Sequence, residues 1–410
     1  MIKRMSFKQL LFILPLLIIV TVFSIYPIIS SFIYTAFDYR INDQQYSKLY
    51  LTGSFNAELF YQTGGYVAFY LNDELYAAPD QGAADEIAAL IEDISGFITP
   101  YENEVGSRKI GGAEAGGIDA FISGTESRLN ALYEGAPDAD FYHREDMPIL
   151  IGEMRSCFIA PNFVGLANYG KLLGDTRFWS ALSITLVFTF ISVFIELILG
   201  MALALIMDKA LKAIGLIRTT TLVPWAIPTA VSALIWSYLY DGSNGIVSKL
   251  FAACGLIASP QSMLLSAGGA LASSVLADVW KTTPYMALLL LAGLQIIDRG
   301  LYESASIDGA DTVKRFVKIT LPLMKPSILV ALLFRMLDAF RVYDLIAVLT
   351  GGGPGGATET LSIYAYKLMV SRSDYGYGSV VVAAMFACVA LIAFFFVKVM
   401  GAELMGNADD

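Results

Sequence analysis

The chain has 410 residues, of which 56% are hydrophobic and only 16% charged, with a mean hydropathy of +0.61. That excludes an ordinary soluble globular protein and predicts an integral membrane protein. The net charge of −10 is unevenly spread: residues 38–177 hold 22 acidic and nine basic side chains, whereas the rest is slightly basic, 18 against 15. So local an acidic balance argues against nucleic acid as a partner and for a solvated extramembrane domain.

Residues 1–8 carry Lys3, Arg4 and Lys8, and residues 10–37 follow without a charge. That run exceeds the apolar region of a signal peptide and ends in no small-residue cleavage site. It is expected to stay as a first membrane helix that starts inside, with Pro15 and Pro27 as kink sites. Residues 38–175 then read as a small α+β insertion outside the membrane. Residues 66–70 and 74–77 flank Asn72-Asp73 in a hairpin pattern, and Ile87, Leu90, Ile91 and Ile94 form one helical stripe. Gly106, Gly111, Gly112, Gly116 and Gly117 predict a flexible loop. A segment of this length can bury a core of its own, but it shows no catalytic constellation. The single histidine, His143, is expected at the surface, which argues against a zinc site. Cys157, Cys254 and Cys388 have no paired spacing. Isolated thiols are expected over a disulfide framework, although Cys157 and Cys254 share one side of the membrane on this reading.

Five more spans follow, at residues 178–206, 219–240, about 267–297, 327–350 and 379–397. Their inner ends and the N-terminal segment carry twelve Lys and Arg (Lys3, Arg4, Lys8, Lys209, Lys212, Arg218, Arg299, Lys314, Arg315, Lys318, Lys325 and Lys398), against three (Lys249, Lys367 and Arg372) in the short outer loops 241–266 and 351–378. The asymmetry predicts six spans with both termini inside.

The polar segment 302–326 lies on that inner side. Glu303, Ala305, Ile307 and Ala310 suit successive helical turns, Gly309 marks a small or close-packed spot, and Leu321-Pro322 ends regular helix. Two short helices with an elbow are expected. Glu303-Ser304-Ala305, then Gly309, then Ile319-x-Leu321-Pro322 resembles, in residues and spacing, the EAA loop of permease subunits in binding-protein-dependent ABC importers. Ser304 stands where alanine is usual. In that family the loop docks into a cleft on a separate ATPase, which implies coupling roles for Glu303, Ser304, Ala305, Gly309, Ile319, Leu321 and Pro322. Residues 163–169 resemble sugar permeases of this importer class, and 281–298 and 338–360 resemble stretches of the maltose, glycerol-3-phosphate and multiple-sugar permeases.

Ionisable residues inside a span cost about 2.5–3.5 kcal/mol each at its centre, so Asp278, Lys281, Arg335, Asp338, Arg341 and Asp344 are expected to face away from lipid. Two readings stand side by side. In one, they line a mid-membrane substrate cavity with Thr229 and Thr282, and Trp225, Trp280 and Tyr285 stack on sugar rings. In the other, Arg335, Asp338, Arg341 and Asp344 form a self-neutralising ladder three residues apart, and Asp278 pairs with Lys281. Glu196, the lone charge of its span, is expected to make a packed hydrogen bond to a neighbouring helix. By resemblance, the positions matching sugar contacts of the maltose permease are Thr229, Asp278, Lys281, Thr282, Tyr285, Arg335, Asp338 and Ala339, several of them charged here where that protein is polar or apolar.

Residues 351–356 formally match GxGxxG but open no βαβ unit, and no GxxxxGK[ST] occurs, so any ATP and Mg chemistry belongs to a partner. The resemblance implies an all-α polytopic protein with six transmembrane helices of the type I ABC importer permease fold. Its parts would be 1–37, the insertion 38–175, and the core 176–410 with the coupling loop at 299–326. It further implies a non-catalytic subunit of the bacterial inner membrane, without cofactor or metal. Its partners would be ATPase subunits, a second permease and an extracytoplasmic solute-binding protein. The alternatives are an ion-coupled secondary transporter using Asp338 or Glu196, for which the EAA-like spacing has no purpose, and a membrane-anchored interaction protein.

Overall fold

A computed structural model describes residues 7–209 and 214–406; Lys3, Arg4 and Lys212 of the charge argument lie outside the described residues. The chain divides into two compact units, Ala36–Gly165 and the remainder. The boundary falls ten residues before the expected position 175. Asp175 explains why: its carboxylate accepts hydroxyl hydrogen bonds at 2.5 Å from both Tyr364 and Tyr377, which ties the segment before it to the helical core.

The unit Ala36–Gly165 is mostly helical around a three-stranded antiparallel sheet. Strand β1 (Ser54–Asn56) lies between β2 (Ser107–Lys109) and β3 (Phe158–Ile159), with Phe55 opposite Arg108 and Phe158. The expected hairpin at Asn72-Asp73 is absent; one helix, Ala57–Tyr76, runs through it. Asn56 caps that helix through Leu59 N–H, and Asn72 donates to the Ala68 carbonyl one turn back at 3.0 Å instead of making a turn. Phe60, Val67 and Leu71 then point at the core with helical spacing. Helix Gln81–Ile98 is capped by Asp80 and buries Ile87, Leu90, Ile94 and Ile98. The expected glycine loop is also corrected: Gly112, Gly116 and Gly117 lie in helix Gly112–Gly135. Each glycine costs a helix about 1 kcal/mol, and burial of Ile118, Ile122 and Leu129 on its inner face offsets this. His143 is half-buried rather than exposed, edge-on to Tyr70 and 3.5 Å from Asp73. The two ends of the unit are stitched together: Asn162 donates to the Asp38 and Lys48 carbonyls and accepts from Tyr50 N–H. All three cysteines are free thiols, Cys157 buried and Cys254 exposed. Burial pushes the Cys157 thiol up to about 12.

In the other unit, four helices among the described residues are long and apolar enough to cross a membrane: Ile13–Tyr34, Thr176–Lys209, Ala267–Leu294 and Tyr375–Val399. Two bent pairs, Gly215–Ala226 with Thr229–Leu239 at 88° and Thr312–Leu323 with Lys325–Phe340 at 67°, bring the total to six if each pair is one span. The first span widens into a π-helical turn at Thr21–Ile25, just ahead of Pro27, whose missing N–H removes a helical bond. The third and fifth spans are not the continuous helices expected. The third breaks at Ile227-Pro228, and the fifth leaves helix at Arg341 before resuming as Asp344–Leu349. Two glycines let the long helices approach: a Cβ at Gly200 would meet Met286 at 2.7 Å, and one at Gly293 would meet Ser327 at 2.5 Å.

Candidate functional site

Two of the helices contribute chemistry with the same spacing. Asp278, Lys281 and Thr282 on Ala267–Leu294, and Arg335, Asp338 and Ala339 on Lys325–Phe340, each occupy positions i, i+3 and i+4 and so share one face. Thr176–Lys209 adds Glu196. Together with the two broken segments, 225–229 and 341–345, the two faces line an open cavity of about 700 Å³.

Arg335 is the hub behind this cavity and is fully buried. Its guanidinium donates to both oxygens of Glu196, at 2.5 and 2.8 Å, to Asp278 at 3.1 Å and to Asp338 at 2.6 Å. Thr282 Oγ1 also donates to Glu196, at 2.7 Å. Such a buried charge is stable only with its partners in place. Three carboxylates from three helices therefore fix one guanidinium, and that guanidinium fixes Asp338, whose side chain remains 66% exposed to the cavity.

The Asp278–Lys281 pair of the second reading does not form among the described residues. The Lys281 ammonium donates to the main-chain carbonyls of Ile227 at 2.6 Å and Trp225 at 3.4 Å. The break at Pro228 releases those carbonyls from their helical partners, and a backbone break within a membrane span is tolerated where it lines a cavity. The proposed ladder stops after its first rung, because Arg341 donates to the Leu337 carbonyl at 3.0 Å and Asp344 begins the next helix.

Of the eight sequence-derived positions, Thr229, Asp278, Lys281, Thr282, Asp338 and Ala339 line the cavity. Arg335 sits behind the wall, and Tyr285 backs it by stacking on Trp225 with ring centres 5.6 Å apart and planes 12° apart. Trp280 does not line it; it packs edge-on to Trp236. Glu196 makes the interhelical hydrogen bond expected of it, but as an ion pair 139 positions from Arg335, which no spacing could announce. A sequence signal did exist for the break, in Pro228 within an apolar run.

The segment 299–326 forms a second candidate surface. Asp298 caps helix Arg299–Ile307, and Asp311 caps Thr312–Arg315. Gly309 between them has φ +76°, and nothing lies within 4 Å of its Cβ direction, so glycine is needed there for backbone conformation and not for close packing. Arg315 donates to Ser306 at 2.8 Å, and Tyr302 bonds Thr320 at 2.9 Å, which holds the two arms together. Glu303, Ser304, Gly309, Leu321 and Pro322 are exposed, Ala305 and Ile319 half-buried, and Ile307 at the tip is 88% exposed.

The glycine run 351–356 is a tight loop with left-handed glycines at 351, 352, 355 and 356. Glu359 anchors it by accepting from Arg177, twice at 2.7 Å, and from Lys367 at 2.9 Å, a cluster that sequence reasoning missed. Burial pushes the Glu359 carboxyl up, but these cations outweigh it and hold the group below the usual carboxylate range.

Residues 196–404 match the family described as "Binding-protein-dependent transport system inner membrane component". The chain is 46% identical over 237 residues to the trehalose/maltose transport system permease protein MalF of Thermococcus litoralis, covering 58% of this chain and 79% of that protein. It is 42% identical over 256 residues to the trehalose transport system permease protein SugA of Mycobacterium tuberculosis, covering 62% and 81%. The sn-glycerol-3-phosphate transport system permease protein UgpA of Agrobacterium fabrum is 34% identical over 210 residues, covering 51% and 71%. A crystal structure of a bacterial ABC transporter that imports alginate matches with a TM-score of 0.52 at 20% identity, over 68% of this chain and 98% of that one, and shares the fold. Matched over slightly more than half its length by the family model and over most of the length of these relatives, the chain belongs to the binding-protein-dependent transport system inner membrane components.

Proposed function

We propose that this chain is the permease subunit of an ABC importer and carries a sugar or sugar-like solute inward through the cavity at Asp338 and Lys281. The ion-coupled alternative is set aside by membership in a binding-protein-dependent family. The observation that carries the solute reading is the cavity lining. The exposed carboxylate of Asp338 accepts from sugar hydroxyls, Thr229 exchanges hydrogen bonds with them, and the Trp225 indole offers a ring face. The trehalose and maltose named for the two relatives above make a disaccharide the first solute to test.

The chain is expected to work with a second permease, two ATPase subunits that bind ATP and Mg, and an extracytoplasmic solute-binding protein, with both of its termini in the cytoplasm. The unit Ala36–Gly165 would then lie outside. ATPase closure would push on the exposed ridge around Glu303 and Ile307. Its capped, cross-bonded arms would transmit the movement to helix Lys325–Phe340, which carries Arg335 and Asp338. The cavity would thereby change the side it faces.

The test is uptake of labelled trehalose and maltose by the reconstituted complex. Asp338→Asn should lower uptake with assembly intact, and Glu303→Lys should abolish uptake while solute binding persists. Uptake at the wild-type rate by both variants would reject this reading.

A further inference from the structure

The unit Ala36–Gly165 contains a concave site that the transport cavity does not explain. Helices Ala57–Tyr76 and Gln81–Ile98 lie side by side, and a groove of about 690 Å³ opens between them, within the roughly 300–1,000 Å³ range of small-molecule sites. One wall presents Tyr61, Gln62, Tyr66, Phe69 and Asn72, and Ser95 faces them from the other. Gly65 lies in the middle of the first wall, with nothing within 4 Å of its Cβ direction, so the space beside the rings is open.

Two properties set the groove apart from the rest of this unit. Its lining contains no ionisable carboxylate or cation, although the unit is strongly acidic. Tyr66 and Phe69 are 63% and 62% exposed on a helix whose opposite face already supplies the core, so folding does not require them. Among the described residues, the Gln62 amide and the hydroxyls of Tyr61 and Tyr66 enter no hydrogen bond within the protein. Asn72 uses only its amide N–H, on Ala68, which leaves its side-chain oxygen as an acceptor.

We propose that this groove is a saccharide-binding site, separate from the transport cavity. Flat apolar ring faces bordered by uncharged amides and hydroxyls match the two sides of a pyranose, one of C–H groups and one of hydroxyls. The absence of charge selects against phosphorylated or acidic ligands. A peptide segment would meet no charged partner here, and the concave form with a glycine gap suits a compact ligand. The proposal rests on the reading of the chain as a sugar permease and adds a second place where the solute is held.

The experiment is a saturation-transfer NMR titration of the detergent-purified full-length chain with trehalose and with maltose, alongside uptake by the reconstituted complex. The variants are Tyr66→Ala with Phe69→Ala, Gly65→Trp to fill the groove, Tyr66→Trp to keep a ring face, and Asp338→Asn with Thr229→Val in the cavity. Loss of the two rings is expected to weaken saccharide binding about tenfold. Gly65→Trp should do the same, Tyr66→Trp should retain binding, and the cavity variant should leave the groove signal in place. Binding that disappears only in the cavity variant would overturn the proposal. So would groove variants that keep saccharide binding but lose a co-purifying protein, which would make the groove a protein-docking surface. If the complex imports either sugar while the groove variants bind as wild type, the groove proposal fails and the transport reading stands. If neither sugar binds or is imported, both fall.

Discussion

Arg128 in the unit Ala36–Gly165 reaches Glu86 at 2.7 Å and Asp93 at 2.6 Å with 39% of its side chain exposed. Arg335 reaches Glu196, Asp278 and Asp338 at similar distances with none of its side chain exposed. Both join separate helices, yet the arginine side chain itself meets water in only one of them. Around Arg128, solvent screens the charges and can take over from any lost partner, so the pairs add little. Around Arg335 nothing can replace the two buried partners, so Arg335, Glu196 and Asp278 become indispensable to one another, while Asp338 stays exposed. Identical chemistry thus decorates one unit and organises the other.

The largest expected effect follows from breaking the buried hub. Arg335→Ala should destabilise the protein by about 3–5 kcal/mol, because it strands buried carboxylates; thermal unfolding of the purified protein measures this. The triple variant Arg335→Met, Glu196→Gln, Asp278→Asn should recover most of that stability while uptake stays low. If it also restores uptake, the cluster has only a structural role.

Asp338→Asn comes next and separates the positioned carboxylate from its support. The side chain is mostly exposed, so stability should change by less than about 1 kcal/mol. Uptake should fall about tenfold or more through loss of a charged hydrogen bond to solute. Gly309→Val should cost stability of about 1 kcal/mol or more through its positive φ and should impair ATP-coupled uptake more than solute binding. Equal losses in both would argue that the loop matters only for folding.

Arg128→Ala, the surface counterpart of the first experiment, should cost no more than about 1 kcal/mol. Raising the salt concentration should narrow its difference from wild type. A loss as large as that of Arg335→Ala would erase the contrast between the two units.

The smallest effect is acidic. Hydrogen bonding from Arg108 holds the Glu114 carboxyl below the usual range. Because the folded value is the lower one, this contribution is present above about pH 4.3, the unfolded value. It is lost as pH falls through the folded one. Arg108→Gln should flatten that limb of a stability-against-pH curve.

Much of the architecture was legible because it depends on local properties. The apolar runs marked the stretches that hold the four long helices and the two bent pairs of the described residues, and Glu303, Gly309 and Pro322 marked the exposed loop within 299–326 by residue and spacing. Of the eight positions named from the resemblance and from the rule that charges avoid lipid, six line the cavity. The misreadings have physical causes. Asn72-Asp73 and the glycines near 112–117 carry turn propensity, but burial of Leu71, Ile118 and Ile122 on continuous helical faces overrode it. Lys281 and Asp278 looked like a pair because they are three residues apart. The Pro228 break gave the lysine a nearer partner in free carbonyls.

The sequence by itself determined that the chain is a polytopic membrane protein with one acidic insertion, and which residues bear charge where lipid forbids it, because hydropathy and charge are sums over neighbouring residues. Only the tertiary structure decided what those charges do. Whether Arg335 meets Glu196, whether Asp338 faces the cavity, and whether Tyr66 and Phe69 border an open groove depend on which helices lie side by side. That choice is made by the packing of the whole chain and is written in no local pattern.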